Sequence, residues 1–393
     1  MQLLEKIKFL NHRSLLRGRV YSFVIQFLFM ALVVWAVYAL MISTQANLEA
    51  RGVDSGFDFL DQRAGFPISV SLIEYTPDDS YGRAFLVGAL NTIYTAIICI
   101  ILATIIGVMM GVAQVSGNML VAKLAEIYVE IMRNIPVLLT LLFIYGVVLA
   151  RLPGVRNAIE LFPGGYLSQR GIYFPQPVPL SGFGFVIASL IAAIILSIFF
   201  QRWARKKQRA TGYDSPVIRV NLALLIGLPT VAYLIAGQPL DWDVPTLQGF
   251  NFQGGLTLKP EFVALVVGLS LYRGAFIAEN VRAGIMAVSK GQIEAAHALG
   301  LEPGKVISRV TLPQALRVII PATTNDYASL VKDSSLAIAI GFADIVSVGG
   351  TMIGQNGQAL EVIAIWMAVY LTINLIVSVA MNAANRKYQI VER

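Results

Sequence analysis

Long apolar runs recur along the chain, separated by shorter segments that carry most of its charge. A helix rises about 1.5 Å per residue, so about 20 apolar residues are enough to cross a hydrocarbon core of about 30 Å. The apolar runs predict membrane-spanning helices near residues 20–42, 85–113, 124–149, 181–200, 218–236, 262–284, 327–348 and 361–382. The pattern therefore predicts an all-α integral membrane protein with about eight transmembrane helices.

The composition excludes a water-soluble fold. Hydrophobic residues make up 56% of the 393 residues and charged residues only 13%, against about a quarter charged in soluble domains. The net charge of +7 does not indicate nucleic-acid binding, because the basic residues fall between apolar runs and form no single stripe. Cys99 is the only cysteine, so an intramolecular disulfide and a cysteine-built metal site are both excluded.

Lysine and arginine are distributed unevenly between the two sides that eight spans would create. The segments 1–19, 114–123, 201–219, 286–325 and 383–393 hold 19 of them, and the intervening loops hold seven. The positive-inside rule therefore predicts that both termini are cytoplasmic. The first run, residues 20–42, is longer than the 7–15 apolar residues of a secretory signal, so we expect a retained first helix.

Three connecting segments have a distinctive composition. Residues 43–84 include the acidic residues Asp54, Asp58, Asp61, Glu74, Asp78 and Asp79 together with aromatic residues and prolines, so we expect this loop to fold against the outer face. Residues 151–179 are rich in Gly and Pro, which favours turns over regular structure. The cationic cluster in residues 201–219 is either a topology anchor or a contact with anionic headgroups of the inner leaflet.

The polar segment 287–325 predicts a helix-turn-helix at the cytoplasmic membrane face. Its sequence EAAHALG supplies small helix formers and then reaches Gly300, which can close a helix in the left-handed conformation. A second helix is expected from Lys305, and Pro313 indicates a turn or a new first turn. Glu294 is expected at the start of the first helix, where a carboxylate interacts favourably with the helix dipole.

This segment carries a family resemblance. The sequence EAAHALGL followed by LPQALRVIIP resembles the cytoplasmic coupling motif of ABC importer permeases. The sequences GAFIAENVRAGI, NDYASLVKDSSLA and MRNIPVLLTLLFIYG resemble the branch of that family that transports histidine, glutamate, glutamine and arginine. The first helix and the insertion between residues 150 and 260 resemble those of a permease subunit of the general L-amino-acid importer.

The resemblance implies a division of the chain into a permease core and additions. The core would comprise residues 85–149 and 262–385, the latter including the coupling loop 287–325. The additions would be an N-terminal helix and outer loop in residues 1–84, inserted loops and two helices in 150–261, and a cytoplasmic tail in 386–393.

The resemblance also implies the partners of the chain. A coupling helix over residues 294–300 would sit in a groove of a cytoplasmic ATPase, and the residues expected at that contact are Glu294, Ala295, Ala296, Gly300 and Leu301. A pair of such ATPases, a second permease subunit and a periplasmic binding protein that delivers L-amino acids would complete an importer in the bacterial inner membrane. ATP and Mg would be bound by the ATPase, and no cofactor is expected in this chain.

The chain shows no energy source or catalytic set of its own. The sequence GLEPGK at residues 300–305 resembles a phosphate-binding loop, but it is one residue short between the glycines and is followed by Val306 instead of Ser or Thr. The two histidines, His12 and His297, lie in the basic tail and in the coupling loop. We therefore expect a transporter without catalytic or metal residues, and the alternative is an ion-coupled secondary amino-acid transporter.

Ionisable residues within the apolar runs are costly in a bilayer and indicate pathways or ion pairs. In the sixth run, Arg273 could receive an amino-acid carboxylate and Glu279 an ammonium group, whereas pairing of Glu279 with Arg282 would be structural. Asp344 lies deep in the seventh run beside several glycines. Arg273, Glu279, Arg282 and Asp344 are therefore the candidate residues of a substrate pathway.

Overall fold

The fold is mostly helical in the computed structural model, which describes residues 23–40, 42–43, 56–212 and 215–388. The α-helices, in chain order, are α1 Phe23–Leu40, α2 Tyr81–Gln114, α3 Met119–Asn134, α4 Val137–Phe143, α5 Phe183–Thr211, α6 Val217–Leu222, α7 Leu228–Ile235, α8 Pro260–Met286, α9 Lys290–Ala298, α10 Pro303–Val306, α11 Leu312–Asp333, α12 Ile345–Asn356 and α13 Ala359–Tyr388. This confirms the predicted helical class.

Six helical segments of the described chain are long and apolar enough to cross a membrane. They are Phe23–Leu40, Tyr81–Gln114, Phe183–Thr211, Val217–Ile235, Pro260–Met286 and Ala359–Arg386. Two bent pairs, Met119–Asn134 with Val137–Arg151 and Pro303–Ile340 with Ile345–Asn356, pass the same test only when each pair is taken together. The number of spans is therefore six, or the predicted eight when each bent pair is one span.

The first bent pair breaks at Pro136. The helices on either side meet at 105°, and Ile135 is extended, with φ −98° and ψ 132°. The proline ring excludes the helical conformation of the residue before it, which is why α3 ends at Asn134. The candidate span over residues 124–149 is therefore a bent pair of helices that breaks at Pro136.

The second bent pair replaces the predicted seventh span. Helix α11 continues as a 3₁₀ helix, Ser334–Ile340, which ends at Gly341 in the left-handed conformation with φ +78°. After a short non-helical stretch, α12 begins at Ile345, and the two parts are bent by 53°. Residues 327–348 are therefore a broken segment, and the break lies among the glycines that the sequence shows there.

The described chain divides into two compact units. The first contains the described residues up to Ile101, then Gly111–Gly117 and the residues from Ile277 onward, and the second contains Leu102–Met110 and Asn118–Phe276. In the first unit, Phe59, Phe66 and Tyr81 pack with Ile345 and Met352. The described part of the loop 43–84 is thus folded onto α2, α12 and α13, and residues 44–55 lie outside the described residues.

The second unit contains a small β layer that the sequence did not indicate. Strands β1 Ile159–Phe162, β2 Gly165–Ser168, β3 Gly171–Phe174 and β4 Gln176–Pro179 precede α5, and strands β5 Leu240–Asp243, β6 Thr246–Gln248, β7 Asn251–Gln253 and β8 Leu256–Leu258 follow α7. The expectation of turns over residues 151–179 is therefore wrong. The cause is pairing with distant residues: β3 pairs with β8, and β4 pairs with β5.

Aromatic packing holds this layer together. The ring of Phe252 lies 4.5 Å from that of Tyr166 and 4.6 Å from that of Tyr173, measured between centroids. All three rings pack near Val155, and Phe252 and Tyr173 are buried. Because β4 and β5 pair antiparallel, the layer brings together the start of α5 and the end of α7, and these two helices pack on each other.

Phe252→Ala is expected to unfold the β layer locally. Loss of a buried phenylalanine costs about 3–5 kcal/mol. Hydrogen exchange of residues 155–179 and 240–258 should therefore accelerate, while exchange in α8 stays slow. Phe250→Ala is the matched control, because Phe250 lies in the same hairpin but is 75% exposed. Equal acceleration in both variants would contradict the assigned core.

Candidate functional site

Helix α9 and the turn after it form the structural core of the predicted coupling loop. The helix ends in a complete Schellman motif, in which the Leu301 N–H donates to the Ala296 carbonyl at 3.2 Å and the Gly300 N–H donates to His297 at 2.9 Å. Gly300 has φ +75°, a conformation that favours glycine. The predicted helix stop at Gly300 is confirmed.

The start of α9 differs from the prediction. The helix begins at Lys290, after Ser289, so Glu294 lies in its middle and not at its first turn. The effect of a helix dipole falls off within the first turn. The expected stabilisation of the Glu294 carboxylate by the dipole is therefore wrong, and Glu294 acts only as an exposed charge on the helix surface.

Helix α9 has one buried and one exposed face. Ala296 is buried, and α9 packs against α10, where Val306 is buried as well. Glu294 and Ala295 are exposed, Leu301 is half-buried, and Leu299 exposes 82% of its surface. The exposed face combines small residues, one carboxylate and one large apolar side chain.

Helix α9 is also tied to the start of α11. The Gln314 side-chain amide donates to the Gln292 side-chain oxygen and, at 3.1 Å, to the Val310 carbonyl. Pro313 lies in the first turn of α11, as predicted. No loop precedes it, because a π-helical turn over Ile307–Thr311 joins α10 directly to α11. The second helix of the predicted helix-turn-helix thus continues into the next apolar segment.

Helices α8 and α11, which flank α9 in the chain, are in close contact with each other. A Cβ added at Gly284 would lie 3.0 Å from the Ala315 carbonyl oxygen and would overlap the side chain of Ile319. The Asn280 side-chain amide donates to the Asp326 carboxylate at 2.5 Å. The absence of a side chain at Gly284 therefore sets how closely the two helices approach.

Glu279 and Arg282 form an ion pair on α8. The Arg282 Nε and Nη2 atoms donate to the two carboxylate oxygens of Glu279 at 3.0 and 2.5 Å. Both side chains are about one-third or less exposed. Of the two alternatives that the sequence left open for Glu279, the structure has the ion pair with Arg282. The Glu279 carboxylate therefore already has a cationic partner.

Arg273 lies in the other unit, in an aromatic environment. Its guanidinium carbon is 5.4 Å from the centroid of Phe276 and 5.6 Å from that of Tyr272. Arg133 approaches the same Phe276 ring at 5.5 Å. Two guanidinium groups therefore flank one ring, and the half-buried Arg273 is held by cation–π contacts.

Asp344 is buried at the break between α11 and α12. One carboxylate oxygen accepts the Ser347 N–H at 2.8 Å and caps α12. The second oxygen is buried, and the Tyr370 hydroxyl is its polar neighbour. The described contacts of Asp344 are thus structural, and its role in a substrate pathway stays a prediction.

Three polar side chains at this break were not singled out from the sequence. The Thr92 hydroxyl accepts the Ile345 N–H at 3.1 Å, the Asn91 amide donates to the Ala343 carbonyl at 2.8 Å, and the Trp366 Nε1 donates to the Ile345 carbonyl at 2.9 Å. Asn91 and Thr92 are adjacent polar residues near the start of an apolar run. Two adjacent polar residues in an apolar run were the feature of the sequence that could have indicated this contact.

Comparisons with known proteins agree with this architecture. Residues 216–390 match the family described as "Binding-protein-dependent transport system inner membrane component". The chain is 48% identical to the putative amino-acid ABC transporter permease protein YhdX of Escherichia coli (strain K12), over 95% of each chain. It is 47% identical to the general L-amino acid transport system permease protein AapQ of Rhizobium johnstonii, over 94% of this chain and 92% of the relative.

This chain belongs to the amino-acid ABC transporter permeases. The permease is also 36% identical, over 99% of its length and 97% of the relative, to the glutamate/glutamine/aspartate/asparagine transport system permease protein BztB of Rhodobacter capsulatus. The resemblance seen in the coupling motif is thereby confirmed. Members of the family are multi-pass membrane proteins, in agreement with the candidate spans of this permease.

Thr92→Val is expected to destabilise the permease, because it leaves the buried Ile345 N–H without an acceptor. Such a loss costs about 1–3 kcal/mol and should lower the thermal unfolding midpoint in detergent by several degrees. Thr95→Val is the matched control: Thr95 is buried one turn further along α2, and its hydroxyl has no partner among the described residues. Equal midpoints for the two variants would refute the role assigned to Thr92.

Proposed function

We propose that this permease moves polar L-amino acids across the bacterial inner membrane, driven by ATP hydrolysis on a separate ATPase subunit that contacts α9. The observation that carries this proposal is the exposed face of α9 between two helices that pack on each other. Leu299, at 82% exposure, would otherwise be an isolated apolar side chain at the end of a polar helix.

The chemistry of the α9 face supports a protein partner. Small residues such as Ala295 and Gly300 allow a close approach of another backbone, and a large apolar side chain can enter a pocket. Glu294 adds a charge that a basic group on the ATPase can pair with. The Schellman motif makes this short helix a defined body that can transmit a displacement.

Substrate class is supported by the relatives and by one residue of this chain. The relatives are named for general L-amino-acid transport and for glutamate, glutamine, aspartate and asparagine. Arg273 offers a planar guanidinium, which suits bidentate binding of a carboxylate. We assign Arg273 to the α-carboxylate on the geometry of its guanidinium group. We do not assign Glu279 to the ammonium group, since its carboxylate binds Arg282.

The proposed mechanism is alternating access. A periplasmic binding protein would deliver the amino acid to this permease and a second permease subunit, and a pair of ATPases would move the α9 segments. Breaks at Pro136 and at residues 341–344 provide places where spans can change direction without unwinding a whole helix. Motion of α9 would reach α11 through the Gln314–Gln292 hydrogen bond, and α8 through the contact of α11 with Gly284.

Gly300→Asp is expected to uncouple transport from ATP hydrolysis. No described atom of this chain would lie within 4 Å of the added Cβ, so the new carboxylate projects from the coupling surface. Substrate-stimulated ATP hydrolysis by the reconstituted importer should fall at least tenfold, while the subunits still copurify.

Two controls separate the effect of the new charge from that of backbone strain and from that of a carboxylate at another exposed glycine. Gly300→Asn introduces the same backbone strain without the charge, and asparagine tolerates the left-handed conformation. Gly117→Asp adds the same charge at a glycine that also has no described atom near its Cβ. Undiminished uptake by Gly300→Asp would remove the coupling role, and uptake driven by an ion gradient alone would indicate a secondary transporter.

Arg273→Gln is expected to raise the KM for the loaded binding protein or to lower kcat. A lost hydrogen bond to a charged group costs about 1.5–3 kcal/mol, which corresponds to about 10- to 100-fold in kcat/KM. Arg133→Gln is the matched control, because Arg133 approaches the same Phe276 ring. Equal losses in both variants would assign the effect to packing around the ring and not to carboxylate binding.

A further inference from the structure

The end of α5 carries a basic stripe that the transport mechanism does not use. Four cationic side chains lie within about 100° of arc on this helix, because successive residues are about 100° apart. These residues, named here the basic stripe, are Arg202, Arg205, Lys206 and Arg209. All four are exposed.

The basic stripe points away from the packed face of α5. The buried residues of this helix are Ala193, Ser197 and Ala204, which lie on the opposite side of the helix from the stripe. Helix α5 packs on α7. The stripe is therefore not needed to hold the α5–α7 pair together.

An apolar surface on the same side of the helix leads into the basic stripe. Ile191, Ile195 and Ile198 fall within the same arc and are all exposed. Residues 183–200 rise about 27 Å, close to the thickness of the hydrocarbon core, and the whole helix rises about 43 Å, close to that of a bilayer with its headgroups. One face of α5 thus changes from apolar to cationic at about residue 200, the depth at which a helix that begins at residue 183 leaves the hydrocarbon core and enters the headgroup region.

Trp203 marks this boundary. Its side chain is exposed, and the Lys207 Nζ lies 5.1 Å from the centroid of its ring. Tryptophan is enriched at the interface between hydrocarbon and headgroups, where its ring has both apolar and polar neighbours. Its position directly after the first cation of the stripe therefore supports headgroup depth for the stripe.

The charges of the stripe are not balanced within the described part of the chain. Arg202 lies three and four residues before Arg205 and Lys206, and Arg209 lies four and three residues after them. Like charges at these spacings destabilise a helix. None of the four forms an ion pair with a described carboxylate. Anions from outside the chain would offset the repulsion.

We propose that the basic stripe is a binding site for the phosphate groups of anionic lipids. Lipid is favoured over a protein partner because the stripe continues the lipid-exposed apolar face of α5 and lies at headgroup depth. Guanidinium and ammonium groups suit phosphate, and each cation near an anionic membrane surface adds to the attraction. The site fixes the depth and rotation of the α5–α7 pair in the membrane.

The test measures which lipid surrounds this end of α5. A fluorophore is attached to Ala210→Cys in the full-length permease in nanodiscs; Ala210 is exposed, whereas the native Cys99 is buried. Quenching by brominated phosphatidylglycerol is compared with quenching by brominated phosphatidylcholine at equal mole fraction. The wild-type stripe should give at least twofold stronger quenching by phosphatidylglycerol. This preference should disappear between about 0.1 and 1 M salt, because the screening length for charges falls over that range from about 10 Å to about 3 Å.

Two variants test the stripe itself. R202Q/R205Q/K206Q/R209Q should abolish the preference, and R202K/R205K/R209K, which keeps the charge, should retain it. Equal quenching by the two lipids in the wild type, a preference insensitive to salt, or a preference retained by the glutamine variant would each overturn the proposal. Loss of the ATPase from the glutamine variant with an unchanged lipid preference would instead make the stripe a protein contact. If the glutamine variant does not insert, the salt dependence of the wild type decides.

Discussion

Inside a bilayer, water cannot pair with the backbone N–H and C=O groups that a broken helix leaves open, and each unpaired group costs several kcal/mol. The break between α11 and α12 meets this constraint with side chains from neighbouring helices. Thr92 and Asn91 from α2 and Trp366 from α13 bond the backbone of residues 343–345. The absence of a side chain at Gly88 permits this contact, because a Cβ there would lie 3.0 Å from the Ile345 Cα.

The same constraint explains other features of the permease. At Pro136 the chain turns by 105°, and the Pro136 carbonyl accepts the Leu139 N–H at 3.0 Å as α4 begins. The Tyr128 hydroxyl on α3 donates to the Leu271 carbonyl of α8 at 2.6 Å. In the β layer, pairing of β4 with β5 satisfies the backbone on both sides of the inserted α5–α7 pair. At residues 343–345 and in the β layer, the chain departs from a straight helix where another part of the chain provides hydrogen bonds.

Local sequence predicted the features that depend on local chemistry. Apolar length indicated the spans, and Gly300 indicated the end of α9. The β layer could not be predicted in this way, because β3 and β8 are more than 80 residues apart and neither strand is apolar enough to stand out. The start of α9 was placed too late because Ser289 and Lys290 are weaker signals than the alanines that follow.

In the candidate site, too, features set by local sequence could be predicted, and features set by contacts with other parts of the chain could not. Gly300 and the EAAHALG sequence could be recognised from the chain alone, since a Schellman ending depends on a few consecutive residues. The capping contact of Asp344 could not, because the sequence shows only the depth of this residue in an apolar run and not the start of α12 beside it. The pairing of Glu279 with Arg282 was an open alternative, and only the rotamers distinguish a helix-surface ion pair from a pair of substrate ligands.

A short helix can transmit force only if it moves as one body with the helices on either side of it. In this permease two Schellman hydrogen bonds end α9, and Gln314 of α11 forms a hydrogen bond with Gln292 in the first half of α9. Helix α11 in turn contacts α8 at Gly284. A displacement of α9 would therefore reach α11 through Gln314 and then α8 through the contact at Gly284, and the chain next changes direction at the break at residues 341–344.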